Sequence, residues 1–211
     1  MGTKERRDRE RQMLRDSILA ASRGIAAREG WQAVSIRKVA EQIEYSPPTI
    51  YEHFDSKEAL LIELMREGFR LLLERVRAGD SPAAAPEARI LGVARAYWEF
   101  AWEYPELYQV MHGLGGVPFC AEPASAVAQA EPPPEAKVVF QFTMDALDAL
   151  AGGTMSCDDR EAAVHILWAT LHGLVALTMA GRIDGGRAQA APLLERAVRD
   201  FLAARRVMGV G

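Results

Sequence analysis

The stretch YSPPTIYEHFDSKEAL, Tyr45 to Leu60, sets two adjacent prolines inside what otherwise reads as helix. In a helix interior, proline removes a backbone hydrogen bond and clashes with the preceding turn, at a cost of about 3 kcal/mol. In the first turn that cost vanishes, because the leading amides have no intrahelical partner. Pro47 and Pro48 therefore open a helix, with Ser46 placed to cap it. A residue before proline avoids the α region, so a start at Pro48 with Pro47 in the cap is the alternative. Ile50 and Phe54, four apart, should anchor this helix in a core.

Upstream, Ser35 suits an N-cap, and Ile36, Val39, Ala40 and Ile43 form one apolar stripe. Two short helices joined by the tight turn Glu44-Tyr45-Ser46 have the layout of a helix-turn-helix. In that motif the second helix lies in the DNA major groove, with its N-terminal residues toward base edges. The prolines offer apolar contact, for example to thymine methyls, and no backbone donors. Thr49 brings a hydroxyl and a methyl. Tyr51, His53 and Lys57 bring groups for phosphates or bases. A plain helical hairpin also fits this spacing.

Helical periodicity continues in both directions. Residues 9–29 carry Leu14, Ile18, Ala21, Ile25 and Ala26 at spacings of three or four, and Gly30 suits the end of that helix. Asp55 and Glu58 have the spacing of a capping box, which starts a long helix reaching about Ala78. A turn over 78–86 follows, then a helix ending at Tyr104 and a short one in PELYQVMHGL. Residues 113–134 read as a long loop with room for one helical turn. The last helices are expected over 135–151, 158–182 and 189–206. This is an all-α chain of about nine helices, with a first domain over 1–55 and a second over 56–211.

Composition narrows the function. The 211 residues are 49% hydrophobic and 26% charged, an ordinary soluble mixture. The net charge is −4, but residues 1–60 hold 11 Lys/Arg against 10 Asp/Glu, and the remainder 14 against 19. Any DNA contact should lie in the first third. Cys120 and Cys157 match no metal or disulfide spacing, which suits a reducing cytoplasm. The N-terminus is too polar for a secretory signal. The apolar run Ile166–Gly181 is broken by His172 and falls short of the ~20 residues a membrane span needs. No phosphate loop, nucleophile elbow or HExxH motif is present, and no cofactor is implied. Glu99 and Glu103, four apart, could act as paired carboxylates in an enzyme, although a solvated face explains them as well.

The segment SIRKVAEQIEYSPPTIYEHFDSKEAL resembles the DNA-binding part of TetR-family transcriptional regulators. The matching positions are Val39-Ala40, Glu44-Tyr45-Ser46, Thr49-Ile50-Tyr51-Glu52-His53-Phe54 and Ser56-Lys57-Glu58-Ala59-Leu60, and the likeness runs from about residue 14 to 75. The family's turn glycine, which takes a left-handed conformation, is replaced by Glu44 at a cost of about 1 kcal/mol. The resemblance implies DNA contacts at Ser35, Arg37, Lys38, Pro47, Pro48, Thr49, Tyr51, His53 and Lys57. The run RRDRERQ could add contacts as an N-terminal arm, or be a frayed, solvated helix end.

The resemblance also implies a C-terminal domain that dimerises and holds a small ligand. Trp168, His172 and Gly173 look like the signature of the subgroup named for a Trp-His-Gly pattern. Trp98, Trp102, Tyr108, Met111, His112, Phe140, Met144, Trp168 and His172 are candidates to line an apolar pocket, with the histidines as polar handles. Aromatic residues at such spacing equally make an ordinary core. A metal-responsive regulator of the same fold is the alternative; His165 and His172 lie about 10 Å apart along one helix, too far to share an ion. Small residues on the helix from Asp158 and apolar ones on the last helix suit a four-helix interface with a two-fold mate. The expectation is a homodimeric cytoplasmic repressor, released from a palindromic operator by a small hydrophobic ligand. A rival is a helical protein whose DNA-binding part is vestigial, against which Tyr51, His53 and Lys57 argue.

Overall fold

The computed structural model describes residues 2–81, 83–114 and 132–208. Cys120 and most of the segment read as loop lie outside them. Among the described residues the α-helices are α1 (Thr3–Glu29), α2 (Ile36–Gln42), α3 (Pro47–Tyr51), α4 (Lys57–Gly79), α5 (Pro86–Glu103), α6 (Pro105–His112), α7 (Pro134–Leu150), α8 (Cys157–Met179) and α9 (Gly186–Met208). A single 3-10 turn, Trp31–Ala33, joins α1 to α2.

The helix ends follow their sequence signals with instructive exceptions. Gly30 ends α1 at φ 81°, and its N–H donates to the Ala26 carbonyl at 2.9 Å. α1 begins at Thr3, so RRDRERQ is part of the helix. Ser35 caps α2 by accepting from the Lys38 amide at 3.2 Å. The cap of α4 is Ser56, which accepts from the Ala59 amide at 3.1 Å. The Asp55–Glu58 pair sits one residue too early: with Lys57 as the first helical residue, the amide needing a partner belongs to Ala59.

The chain forms two compact units. The first holds the described residues of Met1–Gly68 and Tyr104–Glu131, and so extends past residue 55 to include the first half of α4 and all of α6. Its core is built on Ile18, Ile25, Trp31, Val39, Ile50, Leu60, Leu64, Leu107 and Tyr108, all buried. A polar knot crosses it. Arg23 of α1 reaches Glu67 of α4 at 2.8 Å and Glu106 of α6 at 2.9 Å, and the Trp31 indole donates to the Glu106 carbonyl at 3.1 Å. Gly68 lets Met111 approach α4, since a Cβ there would collide with the Met111 Sδ.

The second unit comprises Phe69–Glu103 and the described residues of Pro132–Gly211. α5 packs against α7, α8 and α9 through Ile90, Val93, Ala94, Tyr97 and Phe100. Ion pairs tie α5 to α9: Arg95 to Glu195 at 2.8 Å and Glu99 to Arg187 at 2.7 Å. Glu103 pairs with Arg75. Both carboxylates weighed for acid–base work are thus held by arginines. α8 is long and apolar enough to cross a membrane, but Ala163, Val164, Leu167, Leu171 and Val175 on one side of it are buried in this unit. Its other side is an apolar stripe open to solvent: Ala162, Ile166, Ala169 and Leu177 are exposed, and Gly173 is partly so.

Candidate nucleic-acid interface

The connection between α2 and α3 turns on one residue. Glu44 has φ 60°, the only positive φ outside glycine among the described residues. A left-handed residue there reverses the chain. The Tyr45 amide then reaches the Ala40 carbonyl at 2.9 Å. The side chain costs strain that glycine would avoid.

α3 begins at Pro47, with Ser46 extended before it. The Ser46 side chain does not cap a backbone amide. Pro48 has no N–H to offer, and the Thr49 N–H donates to the Ser46 carbonyl at 3.0 Å. The hydroxyl instead pairs with Thr49 Oγ1 at 3.0 Å. Ile50 and Phe54 are buried, as their spacing predicts. Burying that face leaves Pro47, Pro48 and Tyr51 exposed and Thr49 partly so.

The C-terminal end of α3 is held by Arg15, which sequence reasoning did not single out, and by Arg11 of the RRDRERQ run. Arg15 donates to the His53 carbonyl at 3.1 Å, pairs with Glu63 of α4 at 2.8 Å, and lies 4.3 Å over the Phe54 ring. Arg11 reaches the Glu52 carbonyl at 3.5 Å. Cations there complement the unpaired carbonyls that end a helix. The available signal was their i, i+4 spacing in register with Ile18. His53 sits in this positive field. Burial first, and then Arg11 and Arg15, push its pKa below the ordinary value of 6.5, so its imidazole is neutral at pH 7.

The remaining candidates differ in readiness. Arg37 is exposed, Lys57 is partly exposed, and neither makes an ion pair with a described residue. Lys38 is paired with Glu29, whose carboxyl it holds below the usual range, chiefly by their hydrogen bond. To reach a phosphate Lys38 must leave that partner. Ser35 is exposed, with its hydroxyl oxygen on the Lys38 amide.

The candidate pocket residues fall in both units. Tyr108, Met111 and His112 belong to the first, where Tyr108 is fully buried edge-on to His112 at 4.6 Å. The other six belong to the second. There Trp98 and Trp102 pack edge to face at 5.5 Å, and the Trp102 Nε1 is buried with no acceptor among the described residues. Trp168 is 44% exposed, 6.4 Å from the His172 ring. His172 is half-buried, with the Tyr97 hydroxyl 3.4 Å from Nδ1, and burial lowers its pKa. Met144 is buried, and Phe140 lies edge-on to His165 at 5.1 Å. Among the described residues no three His, Cys, Asp or Glu side chains are grouped to hold a metal ion.

Comparison with known proteins places both halves. Residues 18–64 match the profile of bacterial regulatory proteins of the tetR family, and residues 90–201 match that of the tetracyclin repressor-like C-terminal domain. An uncharacterised HTH-type transcriptional regulator of Mycobacterium tuberculosis is 29% identical over 81% of this chain and 72% of its own. The solved structure of BioQ with its double-stranded DNA operator superposes with a TM-score of 0.64 at 18% identity, over 90% of this chain and 98% of that one. A TetR variant of Acinetobacter baumannii in complex with minocycline superposes with a TM-score of 0.66 at 16% identity, over 90% and 95%.

Proposed function

Because the chain belongs to the TetR family of DNA-binding transcriptional regulators, we propose that it is a repressor that binds a palindromic operator as a homodimer. A small hydrophobic molecule releases it. The observation that carries this reading is the helix-turn-helix of the first unit. α3 is anchored by Ile50 and Phe54, clamped by Arg15, and presents Pro47, Pro48 and Tyr51 outward. Arg37 and Lys57, with no ion-pair partner among the described residues, supply phosphate contacts beside it. Ser35, Lys38, Thr49 and His53 complete the contact set. Operator binding puts the protein where the DNA is, in the cytoplasm.

The exposed stripe of α8, with Leu193 of α9 at 42% exposure, supports dimerisation through the last two helices. Contiguous apolar surface of this kind on a soluble domain is usually covered. A two-fold mate covers it with a copy of itself and sets two α3 helices at half-sites spaced by helical turns of DNA. The ligand is held in the second unit, where the Trp98–Trp102 pair and His172 provide apolar walls and polar atoms. It favours a state in which the half-site spacing is wrong. A clean switch needs a preference between states of about 10³ to 10⁴. α4 runs through the division between the units and links ligand to DNA.

The test is selection of duplexes from a random pool with the full chain, followed by release from the enriched duplex with a panel of small hydrophobic compounds. A two-fold-symmetric enriched site and dose-dependent release are expected. A compound that binds tightly and leaves operator affinity unchanged contradicts the switching mechanism.

A further inference from the structure

The basic run at the start of α1 continues the helix whose later turns fill the core of the first unit. Lys4 through Met13 are all exposed, so these turns pack no core. Lys4, Arg7, Arg11 and Arg15 recur at steps of three and four, which sets them along one face. Two of them mark where that face points. Arg15 donates to the His53 carbonyl and Arg11 to the Glu52 carbonyl, both at the C-terminal end of α3. From Arg11 back to Thr3 the helix runs on for about 12 Å past that end. Lys4 and Arg7 make no ion pair with a described residue. Of the acids around them, Glu5 accepts from the Gly2 amide and Glu10 pairs with Arg6. Residues 2–12 hold five Lys/Arg against three Asp/Glu.

The helix-turn-helix itself is short of positive charge. Residues 35–58 hold three Lys/Arg against five Asp/Glu, and Lys38 is already tied to Glu29. Glu41, Glu44, Glu52, Asp55 and Glu58 are all exposed. Neutralising phosphates supplies the sequence-independent part of DNA affinity, and this motif is poorly equipped for it. We infer that the first turns of α1 are the main phosphate-binding element of the protein. Lys4 and Arg7, aligned past the end of α3 by Arg11, contact the DNA backbone flanking each half-site. The helix-turn-helix then selects the sequence, while α1 adds affinity that is equal for every sequence and falls with salt. The inference rests on the operator-binding reading above.

The test is salt titration of the full chain, and of the same chain carrying Lys4→Gln and Arg7→Gln, against an enriched and a scrambled duplex. Both side chains are exposed, so the fold is kept, with helix content verified by circular dichroism. The double substitution should weaken binding to both duplexes by the same factor and reduce the salt slope by about two per half-site. On an enriched duplex trimmed to its half-sites the two chains should bind alike; a difference that persists there overturns the flanking placement. Affinity and slope equal to those of the unsubstituted chain overturn the inference. So does a loss confined to the enriched duplex with the slope unchanged, which would make this part of α1 a support for α3. If the pool yields no enriched sequence, the operator-binding reading falls. The slope on an arbitrary duplex then still decides whether α1 holds phosphates, and an unchanged slope says that it does not.

Discussion

Glu44 is the residue at which sequence and backbone disagree most openly. The motif requires a left-handed residue in the turn, and the chain supplies one without glycine, at φ 60°. Glu44→Gly should raise stability by up to about 1 kcal/mol in denaturant unfolding, since relief of strain outweighs the added freedom of the unfolded chain. This position was legible in the sequence because left-handed geometry is a property of a single residue. The role of Ser46 was not, because its capping bond depends on which amides its neighbours leave free, and Pro48 removes one. His53 gives a second test. Folded, it takes up a proton less readily than unfolded, so its contribution is intact above the ordinary value of 6.5. It is lost as pH falls through that value toward the lowered folded one. His53→Gln should flatten that part of the stability profile, measured by urea unfolding between pH 5 and 8.

Among the elements, α1 does more than its apolar stripe announces. It carries Arg15 to the end of α3 and Arg23 to α4 and α6. Apolar periodicity located the helix, but it is blind to which arginine meets which carboxylate, since Arg23 and Glu106 lie far apart in the chain. Glu106 is buried with Arg23 as its partner. Arg23→Met leaves that charge uncompensated and should cost about 3–5 kcal/mol. Adding Glu106→Gln should recover a large part of the loss in a double-mutant cycle. Full additivity of the two substitutions would show that the pair is not the cause.

For the molecule as a whole, periodicity, glycines and prolines are local signals, and they yielded the number and order of helices. How the helices group is not local: the first unit recruits α6, whose Glu106 is 83 residues from Arg23 of α1, through Trp31, Arg23 and Leu107. The candidate pocket residues were chosen by helical spacing alone, which cannot separate Tyr108, buried in one unit, from Trp168, exposed in the other. The α8 stripe supplies the test at this scale. On the proposed two-fold pairing through α8, Ile166→Glu should leave the chain monomeric in sedimentation, because pairing would bury a charge. Operator affinity should fall with it, while the helical content stays the same.

The central claim is that this chain reads a specific DNA sequence through α3. The direct measurement is titration of the full chain against its enriched duplex and a scrambled one at several salt concentrations, with Lys57→Met alongside. Binding to the enriched duplex should be at least about 10³ tighter than to the scrambled one. Lys57→Met should weaken both and reduce the salt slope by about one per half-site. Equal affinity for both duplexes, or a salt slope untouched by Lys57→Met, would contradict the account.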